Sequence, residues 1–255
     1  MKALSQHIWR YHDDTQATSY LIVGNDRAAM IDCGTGHFPV MPMIRAVTDL
    51  PAELWLTHAH PDHCGAADEF SAVWLHQKDA ALLHQIETAF AQIGGRPIPR
   101  DRLRLFDDHA VIDLGGRQLR VLPVPGHTPG SVIFVDAQDK AIFSGDAVGS
   151  GDIVLMSIPF TLDLASYRRS LIALTDMLDG CKDYTWYPGH YHQAGVPGTA
   201  AYNPVQFQTV RDMIHLCGGI LDGTITGEPV REALAPGGRA LRARWGKAGM
   251  IYFDE

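Results

Sequence analysis

Seven consecutive residues constrain this chain more than any other stretch. They are Thr57-His58-Ala59-His60-Pro61-Asp62-His63, three imidazoles and a carboxylate directly after the largely apolar run Glu53-Leu54-Trp55-Leu56. Neutral imidazole nitrogens and carboxylate oxygens are the ligands that a borderline cation such as zinc takes. A tight loop at a strand end can turn several of them toward one point. His58 and His60, two apart, could serve one ion, while Asp62 and His63 project differently and could serve a second. Adjacent residues cannot surround two ions, so the other ligands must come from distant loops that the fold gathers at one place.

Three further positions share one pattern, a short apolar strand, a breaker and then a ligand-type side chain. His127 lies in Pro125-Gly126-His127-Thr128-Pro129-Gly130, where glycine and proline mark a tight loop. Asp146 follows Ala141-Ile142-Phe143-Ser144-Gly145, and His190 ends Thr185-Trp186-Tyr187-Pro188-Gly189-His190. Each alone reads as an ordinary loop residue; four such loops in one chain do not.

The pattern HxHxDH followed by a separate His, Asp and His resembles the metallo-β-lactamase superfamily of metallohydrolases. The spacings are 64 residues from His63 to His127, 19 on to Asp146 and 44 more to His190. A strand-closing aspartate also matches, Asp32 in Ala28-Ala29-Met30-Ile31-Asp32-Cys33-Gly34, and the resemblance gives it a supporting role behind the metal loops. It implies an α+β fold, a four-layer αβ/βα sandwich of two mixed sheets flanked by helices, with the metals at one edge. It also implies that His58, His60 and His127 hold one metal, that Asp62, His63 and His190 hold the other, and that Asp146 bridges them. Two zinc ions per chain are expected, with iron or manganese as alternatives. A hydroxide shared by the metals would be the nucleophile, since paired cations lower the pKa of bound water to roughly 7. Asp62 could also pass a proton to the leaving group, and His192 could donate to a developing oxyanion, although a loop histidine bonded to backbone is the plainer reading.

Within the family the residues narrow the choice. The zinc β-lactamases place cysteine or serine where this chain has Asp146, and the diiron flavoproteins carry glutamate in place of His60. What remains is hydrolysis of a small ester, thioester or lactone, as in the glyoxalase II and lactonase relatives. A phosphodiesterase on the same dinuclear site is one alternative. A mononuclear iron persulfide dioxygenase using His58, His127 and Asp146 is the other, and it would leave the second ligand set without a use.

Composition limits the partners. With 21 basic and 29 acidic side chains, a net charge of −8 does not suit general nucleic-acid binding. Arg96, Arg100, Arg102 and Arg104 are close together and read as a charged linker or, alternatively, as a local anion site. No run approaches the roughly twenty apolar residues that span a bilayer, and Met1 to Arg10 has no secretion-signal core. The expectation is a cytoplasmic enzyme acting on a small molecule, without nucleic-acid or membrane partners. Cys33, Cys64, Cys181 and Cys217 have no CxxC spacing and read as reduced, buried thiols.

The chain, 46% apolar over 255 residues, can bury one large layered core, so 1–255 is read as a single domain with 195–255 as a helix and hairpin extension. Strands are predicted at 6–11, 18–23, 28–32, 53–57, 110–113, 118–124, 131–135 and 140–144. Helices are predicted at 39–49, 65–70, 77–92 and 163–179, the last with Leu164, Tyr167, Leu171, Leu174 and Leu178 as a packing stripe. Residues 204–221 read as another helix, and 239–253 as a hairpin about the four-residue turn 246–249. This extension could wall the site or form a subunit contact, as in a homodimer. Substrate-lining residues are expected at 148–156, in the insertion 86–106, and at Tyr191 and His192. The apolar character of 148–160 favours a substrate with a hydrophobic part.

Overall fold

The computed structural model describes residues 1–93, 96–149, 151, 153–231 and 239–253. The first half of the chain builds one mixed sheet whose strands lie in chain order: β1 (Lys2–Ala3), β2 (Ile8–His12), β3 (Thr18–Val23), β4 (Ala28–Ile31), β5 (Ala52–Trp55), β6 (Val73–His76) and β7 (Leu103–Phe106). Pairing is antiparallel from β1 to β4 and parallel from β4 to β7. Each parallel step needs a crossover, and the crossovers supply α1 (Met41–Arg45), α2 (Pro61–Cys64), α3 (Gln77–Ala80) and α4 (Leu83–Ala89).

The second sheet comprises β8 (Val111–Asp113), β9 (Gln118–Pro123), β10 (Val132–Asp136) and β11 (Ala141–Gly145). After an excursion through β12 (Val154–Met156) and α5 (Leu164–Met177), the chain returns as β13 (Thr185–Pro188), parallel to β11. The spatial order is β13-β11-β10-β9-β8.

Side-chain alternation assigns each strand face to one core. Tyr20, Ile22, Ala29, Ile31 and Trp55 from the first sheet meet Leu119, Val121, Val132, Phe134 and Phe143 from the second in an inter-sheet core. The intervening residues face outward: Leu21, Met30 and Leu54 pack with Ile44, Leu83 and Ile86, while Ile133, Val135 and Ile142 pack against Tyr167, Leu171, Leu174 and Leu178 of the α5 region. The stripe read from the sequence is therefore the buried face of α5, whose start is capped by the Asp163 carboxylate accepting from Ser166 N–H at 2.7 Å.

Beyond the sandwich, α6 (Phe207–Leu221) packs with α5 in the same outer core. A third sheet, ordered β12-β16-β15-β14, is made by β14 (Glu228–Arg231), β15 (Arg239–Trp245), β16 (Ala248–Tyr252) and the β12 segment. The hairpin is present, but its turn is Gly246-Lys247 and not 246–249, because Ala248 and Gly249 pair with Trp245 and Arg244. Residues 154–156, read as part of a substrate loop, form a strand parallel to β16, with Val154 and Met156 buried in the core; Val148 is buried there too. Ser150 and Asp152 of that loop, and Gly94 and Gly95 of the insertion, lie outside the described residues. The helix predicted at 77–92 is broken into α3, α4 and a 3-10 turn at Ala91–Ile93. No described helix is long and apolar enough to cross a membrane.

Candidate metal centre

The HxHxDH loop leaves the end of β5, crosses into α2, and meets three other loops that follow β9, β11 and β13. All seven predicted ligand positions come together there. His58 Nε2 lies 3.1 Å from His60 Nδ1, and His127 Nε2 lies 3.0 Å from the same atom. Three donors each about 2.0–2.1 Å from a tetrahedral zinc would be roughly 3.3 Å apart, so the spacing suits one cation. In a second group, Asp62 Oδ2 is 3.2 Å from His190 Nε2 and 3.7 Å from His63 Nε2. Asp146 touches both groups, with Oδ1 at 3.6 Å from His63 Nε2 and Oδ2 at 3.7 Å from His190 Nε2 and 3.9 Å from His127 Nε2. His60 Nε2, His63 Nε2 and Asp146 Oδ1 are buried without a hydrogen-bond partner among the described residues. Buried polar atoms are seldom left so.

The imidazoles are aimed from behind. The Leu155 carbonyl accepts from His127 Nδ1 at 2.9 Å, which leaves the Nε2 lone pair facing the centre. Asp32, at the end of β4 with φ of 56°, accepts from Thr57 N–H and Thr57 Oγ1–H at 2.8 Å each and from His63 Nδ1–H at 2.8 Å. Thr57 Oγ1 in turn lies 3.0 Å from His58 Nδ1, so one carboxylate sets the tautomers of two ligands. Glycine is required where backbone approaches closely: a Cβ on Gly189 would stand 2.3 Å from Asp146 Oδ1 and 2.6 Å from His63 Cε1.

Electrostatics divide the two groups. Burial, reinforced by neighbouring histidines, pushes His58 well below the ordinary histidine range and His60 down to about 3. Burial likewise lowers His127, against the pull of Asp146. These three are neutral with lone pairs available. In the second group burial is overridden by opposite charge: Asp62, Asp146 and Asp32 raise His63 well above the usual range, and Asp146 and Asp62 raise His190. Reciprocally, burial would raise both carboxylates, yet His190 and His63 bring Asp146 down to about 2 and His63 and His190 hold Asp62 well below the usual carboxylate range. The field that draws protons onto His63 and His190 would draw a metal cation in their stead, so the donor set fits metal binding.

The sequence reading overlooked one residue that matters here. Asp79, at 0% exposure, accepts from Ala59 N–H at 3.1 Å, from Thr128 Oγ1–H at 2.8 Å and from Gly130 N–H at 2.6 Å. It ties the loop of His58 and His60 to the loop of His127. Its only sequence signal is an acidic residue in a stretch otherwise read as one long helix. Of the other positions considered, His192 stands with its ring 6.1 Å from that of His190, its pKa lowered by burial first and then by His190, with the Gln16 backbone opposing. Tyr191 lies beneath the Arg10 guanidinium at 3.4 Å. The basic run is engaged locally: Arg96 pairs with Asp68, Arg100 with Glu87, and Arg102 and Arg104 donate to backbone carbonyls. All four cysteines are free and buried.

A family model described as the metallo-beta-lactamase superfamily matches residues 12–190. Among curated proteins, acyl-coenzyme A thioesterase MBLAC2 of Gallus gallus is 28% identical over 212 residues, 72% of this chain and 76% of its own length. Hydroxyacylglutathione hydrolase GloC of Haemophilus influenzae is 28% identical over 163 residues, 58% of this chain and 76% of its own. Among solved structures, the metallo-beta-lactamase family protein TTHA1429 from Thermus thermophilus superposes with a TM-score of 0.63 at 21% identity, covering 89% of this chain and 85% of its own.

Two outcomes follow from this geometry. Asp32→Asn places an amide against His63 Nδ1 and should weaken metal affinity by about 10- to 100-fold with the fold retained, measured by competitive titration against a chromogenic chelator. Burial pushes the Asp79 carboxyl from 3.8 up to about 6, against three hydrogen bonds that favour its ionised form. A raised carboxyl pKa means that its contribution to stability is fullest below about pH 4 and is lost as pH rises through about 6. The protein should therefore lose stability relative to Asp79→Asn between those pH values, measured by denaturant unfolding of both at several pH values.

Proposed function

The chain belongs to the metallo-beta-lactamase superfamily and is a metal-dependent hydrolase, and from that premise we propose that it is a dinuclear zinc enzyme that hydrolyses a thioester of a small-molecule carrier. The observation that carries this reading is the pair of converging donor groups with the Asp146 carboxylate against both. The choice of thioester is supported by relatives named for acyl-coenzyme A and hydroxyacylglutathione hydrolysis. Residues 1–255 are read as one domain, with 195–255 its extension.

In this reading His58, His60 and His127 would hold one ion and Asp62, His63 and His190 the other, with the Asp146 carboxylate available to both. Two bound cations would supply Lewis acidity for the carbonyl oxygen and a water acidified to roughly neutral pKa. The chain's own part is positional. Asp32, through Thr57 and His63, and the Leu155 carbonyl, through His127, fix which ring nitrogens carry protons. In the net reaction a C–O bond to water forms, the C–S bond breaks, and the departing sulfur takes up the proton that water gives up. A thiolate of pKa about 8.5 needs little help in leaving, so Asp62, whose side chain is 29% exposed, serves chiefly as a ligand and can receive and release a proton at the solvent edge. His192, whose ring adjoins that of His190, would donate to the developing oxyanion in this reading. The persulfide dioxygenase alternative would leave Asp62, His63 and His190 unused, and is set aside for that reason.

Replacing Asp146 by Ala removes the group shared by both ion sites. Turnover of acyl-coenzyme A should fall by at least about 1,000-fold while the circular dichroism spectrum stays native. Full activity in that variant would refute the reading.

A further inference from the structure

A cavity of about 720 Å³ lies between residues 156–165, the end of α6 and the β15–β16 hairpin. That volume falls within the roughly 300–1,000 Å³ typical of small-molecule sites. Three of its polar side chains have partners of their own. Thr161 Oγ1 donates to the Met156 and Ile158 carbonyls, the Asp163 carboxylate accepts from Ser166, and the Tyr252 hydroxyl accepts from Gly227 N–H. No cationic side chain among the described residues lines it. Such a lining has no countercharge for an anionic ligand, while Ile158, Phe160, Leu162, Leu241 and Phe253 give an apolar chain side chains to pack on.

The wall of this cavity is joined to the metal centre. Leu155, one residue before the lining residue Met156, accepts from His127 Nδ1 at 2.9 Å, and Leu162 N–H donates to the Gly126 carbonyl at 2.8 Å. Phe160 lines the cavity with φ of 72°, a region in which a bulky residue is held only at a conformational cost. Its side chain packs against the core cluster that contains Phe90, whose ring is 4.8 Å from that of His60. Phe160 on the cavity wall and Phe90 beside His60 thus belong to one packed core region, which sets the cavity next to the loops of the first ligand group.

We propose that this cavity receives the acyl chain of the substrate while the thioester carbonyl lies at the metal centre. Chain-length preference is then set by the C-terminal hairpin, through Leu241, Tyr252 and Phe253, a segment outside the family match at residues 12–190. The inference rests on the thioesterase reading and gives the extension its role: its hairpin supplies one wall of the cavity.

The test measures kcat/KM of the metal-loaded enzyme for acetyl, butyryl, octanoyl and dodecanoyl coenzyme A, together with calorimetric binding of dodecanoate and butyrate. The value of kcat/KM should rise with chain length by up to about fourfold per buried methylene. Leu241→Trp, which fills the cavity, should cut dodecanoate affinity by at least about tenfold and lower dodecanoyl turnover by at least about tenfold more than acetyl turnover, the loss of two or more such methylenes. Leu221→Trp should do the same from a lining position that is 51% exposed, where a larger side chain does not disturb folding. Thioester turnover independent of chain length, or equal loss at every length, would overturn the proposal while leaving the function standing. Tight dodecanoate binding abolished by the tryptophans, with no thioester hydrolysed, would uphold the cavity and refute the reaction.

Discussion

Everything in this structure serves the burial of four imidazoles and a carboxylate around two points, for His58, His60, His63 and His127 are at most 5% exposed and Asp146 is 7% exposed. Desolvating so many ionisable groups is unfavourable unless each has a partner or a cation. The fold meets part of that cost with a ring of fixed partners: Asp32 behind His63 and, through Thr57, behind His58, and the Leu155 carbonyl behind His127. Asp79 holds the two loops of the first group together. Two remaining donors, His63 Nε2 and Asp146 Oδ1, have no hydrogen-bond partner among the described residues, and a bound cation is the chemistry that suits such a centre.

This demand explains the position of the site relative to the layers. Loops from the ends of β5, β9, β11 and β13 reach one edge only because the two sheets face each other across the core of Tyr20, Trp55, Phe134 and Phe143. The parallel pairing of β11 with β13 brings Asp146 and His190 to adjacent strand ends, and Gly189 lets the second loop lie against the first. The added sheet of β12, β14, β15 and β16 leans on the same arrangement: its strand β12 carries the carbonyl that orients His127. The metal centre and the C-terminal extension are thus mechanically connected.

Much of this was legible from residue types and spacing. Short, mostly apolar runs mark strands such as 18–23 and 28–31, because each has one face in the inter-sheet core and the other beneath helices, so nearly every position is buried. The HxHxDH run and three breaker-then-ligand loops together contain the seven side chains that converge, since a tight turn at a strand end is the simplest way to aim a side chain at a shared point. The misreadings have physical causes. Strand β12 is three residues long and owes its existence to pairing with β16, nearly a hundred residues later, which no local pattern records. β6 is only four residues long and runs straight into a helical turn, and β7, at the sheet edge, sets Arg104 among apolar residues, so neither has a clear periodicity. Asp79 was missed because its importance lies in three long-range hydrogen bonds, and an aspartate in an amphipathic stretch looks like any exposed helix residue.

The account stands on two cation sites acting as one catalytic centre, and the most direct test is stoichiometric reconstitution. Chelated enzyme would be titrated with zinc while acyl-coenzyme A hydrolysis and bound metal are followed together. Activity that rises to a plateau at two equivalents of zinc per chain is the result this account predicts. A plateau at one equivalent, or turnover that persists in the metal-free protein, would contradict it.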